Sequence, residues 1–400
     1  MLSLEKQKQI VQEVLGTPLP EVEPIYLEGA KLYEKTAWNQ FITPYLLREL
    51  FSPVEMRLVL ALPGTAEEVA EKVGMNPIEV GFILDRLYRY GKLLPRKKGQ
   101  PGYVPSVDVM TIRDHVAGAY LGMRVDWRQD AKMFRLMDAW TKMEDVPQAL
   151  KDGLGGSFRV IPKYASIKDL PGVMFCENMK EIMESFQEVD KLTIAQCVCK
   201  VFHSFTDLGY YDPNYCTSGL HETCENDGHC LAFGNRADYV SQRFGAHYAT
   251  EEEWQRCLKE IDESTAVLTA PNKRQIDFIC TCCDDCCPMA GYEKVGLPIR
   301  KPSRFRPAVR EERCVGCGLC ESRCVFHAVK LVDGKATIDS TQCMGCGNCV
   351  VTCPSKALKM QIVHDVDWVP DLWEEDNNWN IPEENDRNYL KNQKKQTGKE

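Results

Sequence analysis

The stretch RCVGCGLCESRCVFHAVK, residues 313–330, returns as QCMGCGNCVVTCPSKALK, residues 342–359. Its cysteines are Cys314, Cys317, Cys320 and Cys324 in the first copy, and Cys343, Cys346, Cys349 and Cys353 in the second; both read C-x2-C-x2-C-x3-C. Three thiolates two residues apart on a glycine-bearing loop can wrap three corners of an iron–sulfur cubane. The fourth points away and, in this arrangement, ligates the other cluster. The spacing therefore assigns Cys314, Cys317, Cys320 and Cys353 to one [4Fe-4S] cluster, and Cys343, Cys346, Cys349 and Cys324 to a second. A pair of zinc knuckles is the alternative, but zinc sites draw on two spaced pairs of ligands rather than a repeated run of four.

The segment resembles the bacterial two-cluster ferredoxins. Gly316, Gly318, Gly345 and Gly347 suit loops whose backbone approaches the sulfides closely, and Pro354 follows Cys353 as that pattern expects. Cys324 departs from it, being followed by Val325. Polar Ser322, Thr352 and Ser355 stand near the ligands and would raise a potential if they donate to sulfur.

Composition bounds the rest. Four hundred residues with 44% hydrophobic content can form two to four domains with real cores. No apolar run reaches the roughly 18 residues of a membrane helix, and the start MLSLEKQKQI is charged where a signal peptide turns apolar, so a cytoplasmic location is expected. In that compartment twenty cysteines read as metal ligands rather than disulfides, in a protein of an anaerobe. The net charge of −9 speaks against a protein that coats nucleic acid.

Residues 1–110 lack cysteine and have mostly helical patterns. TAEEVAEKVG pairs Thr65 with Glu68 as a capping box and stops at Gly74. NPIEVGFILDRLYRYGK follows, with Asn76 as N-cap, Pro77 in the first turn, Glu79 at the third helical position, and Val80, Ile83, Leu84 and Leu87 on one stripe. LLPRKKGQPGYVPS then reads as two short strands around a basic turn. Together these resemble a winged-helix module over residues 48–107. Its outer face mixes Glu79, Phe82, Asp85, Arg86 and Arg89, with Arg96, Lys97 and Lys98 on the wing. Acids opposite phosphates weaken DNA binding, so docking through exposed Phe82 is the preferred expectation.

Residues 111–190 read as a helical connector. In DAKMFRLMDAWTKM, Met133, Met137 and Trp140 recur at helical spacing, a core stripe. GLGGSF, Gly153 to Phe158, lacks the full dinucleotide fingerprint, so no nucleotide site is expected.

Residues 191–290 hold eleven cysteines, from AQCVCK through TCENDGHCLAFGNRADY to ICTCCDDCCP. The succession resembles an α-rich, cysteine-rich domain of anaerobic iron–sulfur oxidoreductase subunits. By that resemblance the matching thiols are Cys197, Cys199, Cys224, Cys230, Cys280, Cys282, Cys283, Cys286 and Cys287, which implies one or two further [4Fe-4S] clusters. Cys216 and Cys257 fall outside the pattern. Cys257, in a helix capped by Thr250 and Glu253, is expected to be idle, as is Cys176. The alternatives are a structural zinc site and a redox-active vicinal dithiol. His221 and His229 lie among the thiols and are better read as satisfied polar groups than as ligands, because cubanes prefer thiolate.

Residues 291–312 read as a basic, proline-rich connector holding two cluster domains side by side, the second being a ferredoxin-like unit over 313–363. The acidic tail 364–400 carries Trp368, Trp373 and Trp379 as anchors on this chain or on a partner, and its last ten residues are expected to be disordered. The fold class expected is multidomain α+β. The functional expectation is an electron-transfer subunit of an anaerobic cytoplasmic oxidoreductase complex with three or four [4Fe-4S] clusters, a flavin- or metal-containing catalytic partner, a hetero-oligomeric state, and no nucleic acid or membrane span. The competing expectations are a reductase with its own site in the cysteine-rich region and a redox-sensing winged-helix regulator.

Overall fold

A computed structural model describes residues 2–33, 40–96, 100–123, 130–208, 229–244, 246–283 and 286–371. Cys216, His221, Cys224, Lys97, Lys98, Trp373, Trp379 and the last ten residues lie outside that set. Helices and strands mix throughout, in an α+β architecture. Among the described residues, no helix is long and apolar enough to cross a membrane.

The amino-terminal signals act locally. Thr65 and Glu68 exchange side-chain and backbone hydrogen bonds around the start of helix Ala66–Val73, and Gly74 closes it in the left-handed conformation at φ +68°. Asn76 Oδ1 accepts from the Ile78 and Glu79 amides to start helix Pro77–Arg89, which buries Val80, Leu84 and Leu87 and leaves Phe82 74% exposed. Strands β1 (Leu93–Pro95) and β2 (Tyr103–Pro105) pair antiparallel behind it.

Helices Val109–Met123 and Ala131–Thr141 share one core with these amino-terminal helices. Helix Val198–Leu208 joins it, and so do Leu297 and Ile299. Met133, Met137 and Trp140 are buried there. Residues 111–190 are thus not one helical connector. Their first part completes the helical core, and their second part begins a sheet.

That sheet corrects the expectation of an α-rich cysteine-rich region. Strands β3 (Phe158–Ile161), β4 (Leu192–Gln196), β5 (His229–Phe233), β6 (Val267–Pro271), β7 (Phe278–Cys282) and β8 (Arg300–Lys301) run in the order β4-β5-β7-β6-β3-β8, antiparallel except at β3–β8. The physical reason lies in strand periodicity, which sends alternate side chains to opposite faces. Leu231, Phe233, Leu268 and Ile279 take one face, under helices Met179–Gln187 and Glu251–Glu263. Cys230, Cys280 and Cys282 occupy the alternate positions, so a C-x-C spacing that reads equally well as loop puts two thiols on one side of a strand.

The expected connector is woven into both units. Arg300 and Lys301 form β8, while β9 (Phe305–Val309) pairs with β12 (Leu358–Ile362) of the carboxy-terminal unit; β10 (Val329–Val332) and β11 (Lys335–Ile338) make its second hairpin. Two of the connector's arginines form no basic surface. Arg300 is buried against Glu293, and Arg304 is buried in a bidentate pair with Glu177 at 2.7 Å. Beyond β12, Trp368 donates from Nε1 to Pro302 O at 2.9 Å with Lys301 over its ring, so this anchor seats on its own chain.

Candidate iron–sulfur sites

The two cysteine motifs fold as copies of one another. Gly316 and Gly345 sit at φ +68° and +69°, Gly318 and Gly347 at +77° and +85°, and His327 and Lys356, each three residues after the fourth cysteine, at +53° and +51°. A Cβ on Gly345 would fall on Phe305 O and Ser303 Oγ, so both the backbone angle and the space exclude a side chain there. Among the described residues no three His, Cys, Asp or Glu side chains close on a single ion. The thiols instead ring two wider cavities. Cys314, Cys317, Cys320 and Cys353 line one, and Cys324, Cys343, Cys346 and Cys349 line the other. Each cavity thus draws three thiols from one motif and the fourth from the other.

Backbone amides already point at sulfur. Ala328 N donates to Cys324 Sγ at 3.3 Å and Ala357 N to Cys353 Sγ at 3.2 Å, each from four residues on, and Ala336 N donates to Cys314 Sγ at 3.4 Å. Amides from Ala336 and Gly316 hold the Cys314 thiol below its ordinary range. Ser355 Oγ lies 3.6 Å from Cys353 Sγ, whereas Ser322 donates to Leu319 O.

Residues 313–358 match the family model of the 4Fe-4S dicluster domain. No curated protein and no solved structure matches the chain at a significant level. The dicluster domain carries [4Fe-4S] clusters, which gives the chain an iron–sulfur electron-transfer role.

The dicluster domain is clamped to the sheet. Lys163 N donates to Cys346 O at 3.0 Å, while Lys163 Nζ and Arg323 Nη2 meet the last carbonyls of helix Glu251–Glu263. Cations at a helix carboxy-terminus satisfy orphan carbonyls and the dipole together. Asn348 Nδ2 adds a bond to Thr265 O at 2.8 Å.

On the thiol face of the sheet, eight of the nine cysteines singled out by the resemblance come together; the ninth, Cys224, lies outside the described residues. Cys230 and Cys280 are direct cross-strand partners on β5 and β7. The Cys282 thiol lies within hydrogen-bonding reach of the free thiols of Cys280 and Cys287, the latter preceding helix Pro288–Lys294. The free thiols of Cys197 and Cys199 lie within hydrogen-bonding reach of each other at the end of β4, and Cys199 is near enough to Cys287 to act on it electrostatically. Cys283 and Cys286 place their sulfurs 2.8 Å apart. Hydrogen bonds from Cys280 and Cys287, and then the charge of Arg300, hold the Cys282 thiol well below its ordinary range. Cys280 is held above its ordinary range by its bonds to Cys230 and then Cys282, and Cys287 by its bond to Cys282.

Sequence reasoning missed the cations of this site. Arg113, on helix Val109–Met123, is 0% exposed, lies 4.2 Å above the Phe202 ring, and reaches Asp114 Oδ1 at 2.6 Å and Cys199 Sγ at 3.6 Å. Its Nε and Nη2, and the buried Tyr292 hydroxyl, have no hydrogen-bond partner among the described residues. A buried guanidinium with unmet donors beside a thiol group calls for more negative charge than Asp114 supplies. An anionic thiolate-bound cluster fits that requirement. Arg113 carries no motif in the sequence, since it sits 84 residues before the first of these thiols.

The His229 amide donates to Thr281 Oγ1, and its ring Nε2 stands 3.3 Å from Glu260 Oε2. Cys176 and Cys257 are 3% exposed and pack in the helix-covered core. Burial, then Glu260, pushes the Cys257 thiol up to about 12, so at pH 8 about one part in 10⁴ is the reactive thiolate. In native protein stripped of iron, iodoacetamide at pH 8 should label exposed Cys317 early and leave Cys176 and Cys257 unmodified, as peptide mass mapping would report; early labelling of Cys257 would contradict its placement.

Proposed function

We propose that the chain is an electron-transfer subunit of an anaerobic cytoplasmic oxidoreductase complex, holding three or four [4Fe-4S] clusters and serving a flavin- or metal-containing catalytic partner. The observation that carries this reading is the gathering of eight thiols and a buried, under-partnered arginine on one sheet face, next to a dicluster domain clamped to the same sheet. In the dicluster domain the ligand sets are Cys314, Cys317, Cys320 with Cys353, and Cys343, Cys346, Cys349 with Cys324. In the sheet region the ligands come from Cys197, Cys199, Cys224, Cys230, Cys280, Cys282, Cys283, Cys286 and Cys287. Clusters of this kind store and pass single electrons. The residues around them exclude water, supply N–H donors to sulfur and fix the spacing of the sites.

The amino-terminal helices and hairpin serve as a winged-helix docking module in this reading. Arg86 pairs with Glu55 at 2.8 Å, Arg89 with Asp85 at 2.7 Å and Arg96 with Glu68 at 3.4 Å, so phosphates would compete with built-in carboxylates. Iron analysis of anaerobically purified protein tests the cluster reading. About 12 to 16 iron atoms per chain are expected, four for each cubane. Iron near eight with stoichiometric zinc would sink the assignment of the sheet region.

One observation favours a second reading. The Cys283 and Cys286 sulfurs are closer than separate cluster ligands need to be and suit a dithiol that cycles with a disulfide. That reductase would show saturable reduction of a disulfide by the isolated chain with an artificial electron donor, lost in Cys283→Ser. The electron-transfer reading expects reduced clusters and no saturable turnover without a partner.

A further inference from the structure

Arg300 occupies the seam between the two thiol-bearing units. On β8 it reaches Glu293 Oε1 from Nε at 2.8 Å and Oε2 from Nη2. Glu293 belongs to helix Pro288–Lys294, which begins immediately after Cys287. The Cys282 and Cys287 thiols pack together with Ala290 of that helix, which stands one turn before Glu293. The guanidinium also stands 5.4 Å from the centroid of the Phe326 ring. Phe326 lines the cavity of Cys324, Cys343, Cys346 and Cys349. It does not line the cavity of Cys314, Cys317, Cys320 and Cys353.

We infer that Arg300 is a positioning residue shared by two clusters, the counter-charge at the junction between the sheet-face cluster and the Cys324/Cys343/Cys346/Cys349 cluster. This rests on the proposed cluster in the sheet region, and it fixes an order. Electrons cross between the units at that junction. The cavity with exposed Cys317, rimmed by Val315 at 70% and Leu319 at 45% exposure, is the outer end of the chain's path. A buried cation favours whichever redox state carries more negative charge, the reduced one, so its removal lowers the potential of every cluster it faces. Glu293 offsets the same charge with the opposite sign.

The test is a redox titration of anaerobically purified full-length protein followed by electron paramagnetic resonance. Cys317→Ser marks the signal of the outer cluster. Arg300→Gln should lower two midpoint potentials, those of the sheet-face and junction clusters, and leave the outer one in place. Arg300→Lys should restore most of both shifts. Glu293→Gln should raise the same two potentials, and it decides the matter if Arg300→Gln fails to fold or to retain iron. Phe326→Leu, which keeps the charge, should shift the junction cluster less than Arg300→Gln does. A shift confined to one cluster, or one that reaches the outer cluster equally, overturns the shared role. Iron near eight in the unaltered protein would instead overturn the cluster reading on which the role rests.

Discussion

Replacing Cys353 with alanine is expected to damage the cluster of the first motif, cutting it to a three-iron form or removing it, and to spare that of the second, although Cys353 belongs to the second motif in sequence. The cavity ringed by Cys314, Cys317 and Cys320 takes its fourth thiol from Cys353. Removing it leaves the cavity three thiolates. Cys324→Ala should do the reverse, because Cys324 lines the cavity of Cys343, Cys346 and Cys349. Each variant should lose about one iron when a three-iron cluster persists and about four when it does not. The decisive measurement is spectroscopic: a three-iron signal in Cys353→Ala must disappear on further replacement of Cys317 and persist on replacement of Cys346. The opposite pattern would mean that each motif ligates its own cluster, against the geometry of both cavities. Transfer through the chain should be interrupted in either variant when an electron acceptor is coupled at the far end.

The ease of reading this part from sequence has a physical source. Cluster loops are largely local: ligand spacing, left-handed glycines and the amides of Ala328 and Ala357 that reach sulfur fall within a few residues of each other. Gly345 at φ +69°, or Ala357 N on Cys353 Sγ, needs no distant strand to be understood. Capping boxes at Thr65 and Thr250 are legible for the same reason. The sheet region is different. Its thiols become neighbours only through long-range pairing, as when Cys230 meets Cys280 fifty residues on. The strands that carry them are five residues long, with one thiol in β5 and two in β7, so the apolar alternation that marks a strand is interrupted by the ligands themselves. The sequence could nominate the cysteines through a resemblance, but not their common sheet face. Arg113 and Arg300 escaped it altogether, since nothing in their local context distinguishes a buried counter-charge from a surface arginine.

Arg304 shows the consequence of that ambiguity, and it sets the largest stability effect. In RKPSRFRP it looks like one more cation of a basic connector. In the fold its side chain and that of Glu177 are each 2% exposed, joined by two 2.7 Å bonds, and Arg304 also donates to Gly172 O at 2.9 Å. Glu177 further accepts from Met174 N at 3.0 Å. The pair fastens the segment before β9 to the turn ahead of helix Met179–Gln187, and so holds the start of the dicluster domain on the sheet. Arg304→Met leaves a carboxylate buried without its cation, a loss of about 3–5 kcal/mol. Unfolding of the iron-loaded protein in denaturant should therefore begin at markedly lower concentration, with iron release following the same curve. Arg304→Met/Glu177→Leu removes both charges, and buried pairs replaced by apolar groups are often near neutral. The double variant should recover more than half of the loss. If it is instead as unstable as the single change, the bonds to Gly172 and Met174 outweigh the charge pair, and the attachment is a matter of backbone satisfaction rather than of the salt bridge.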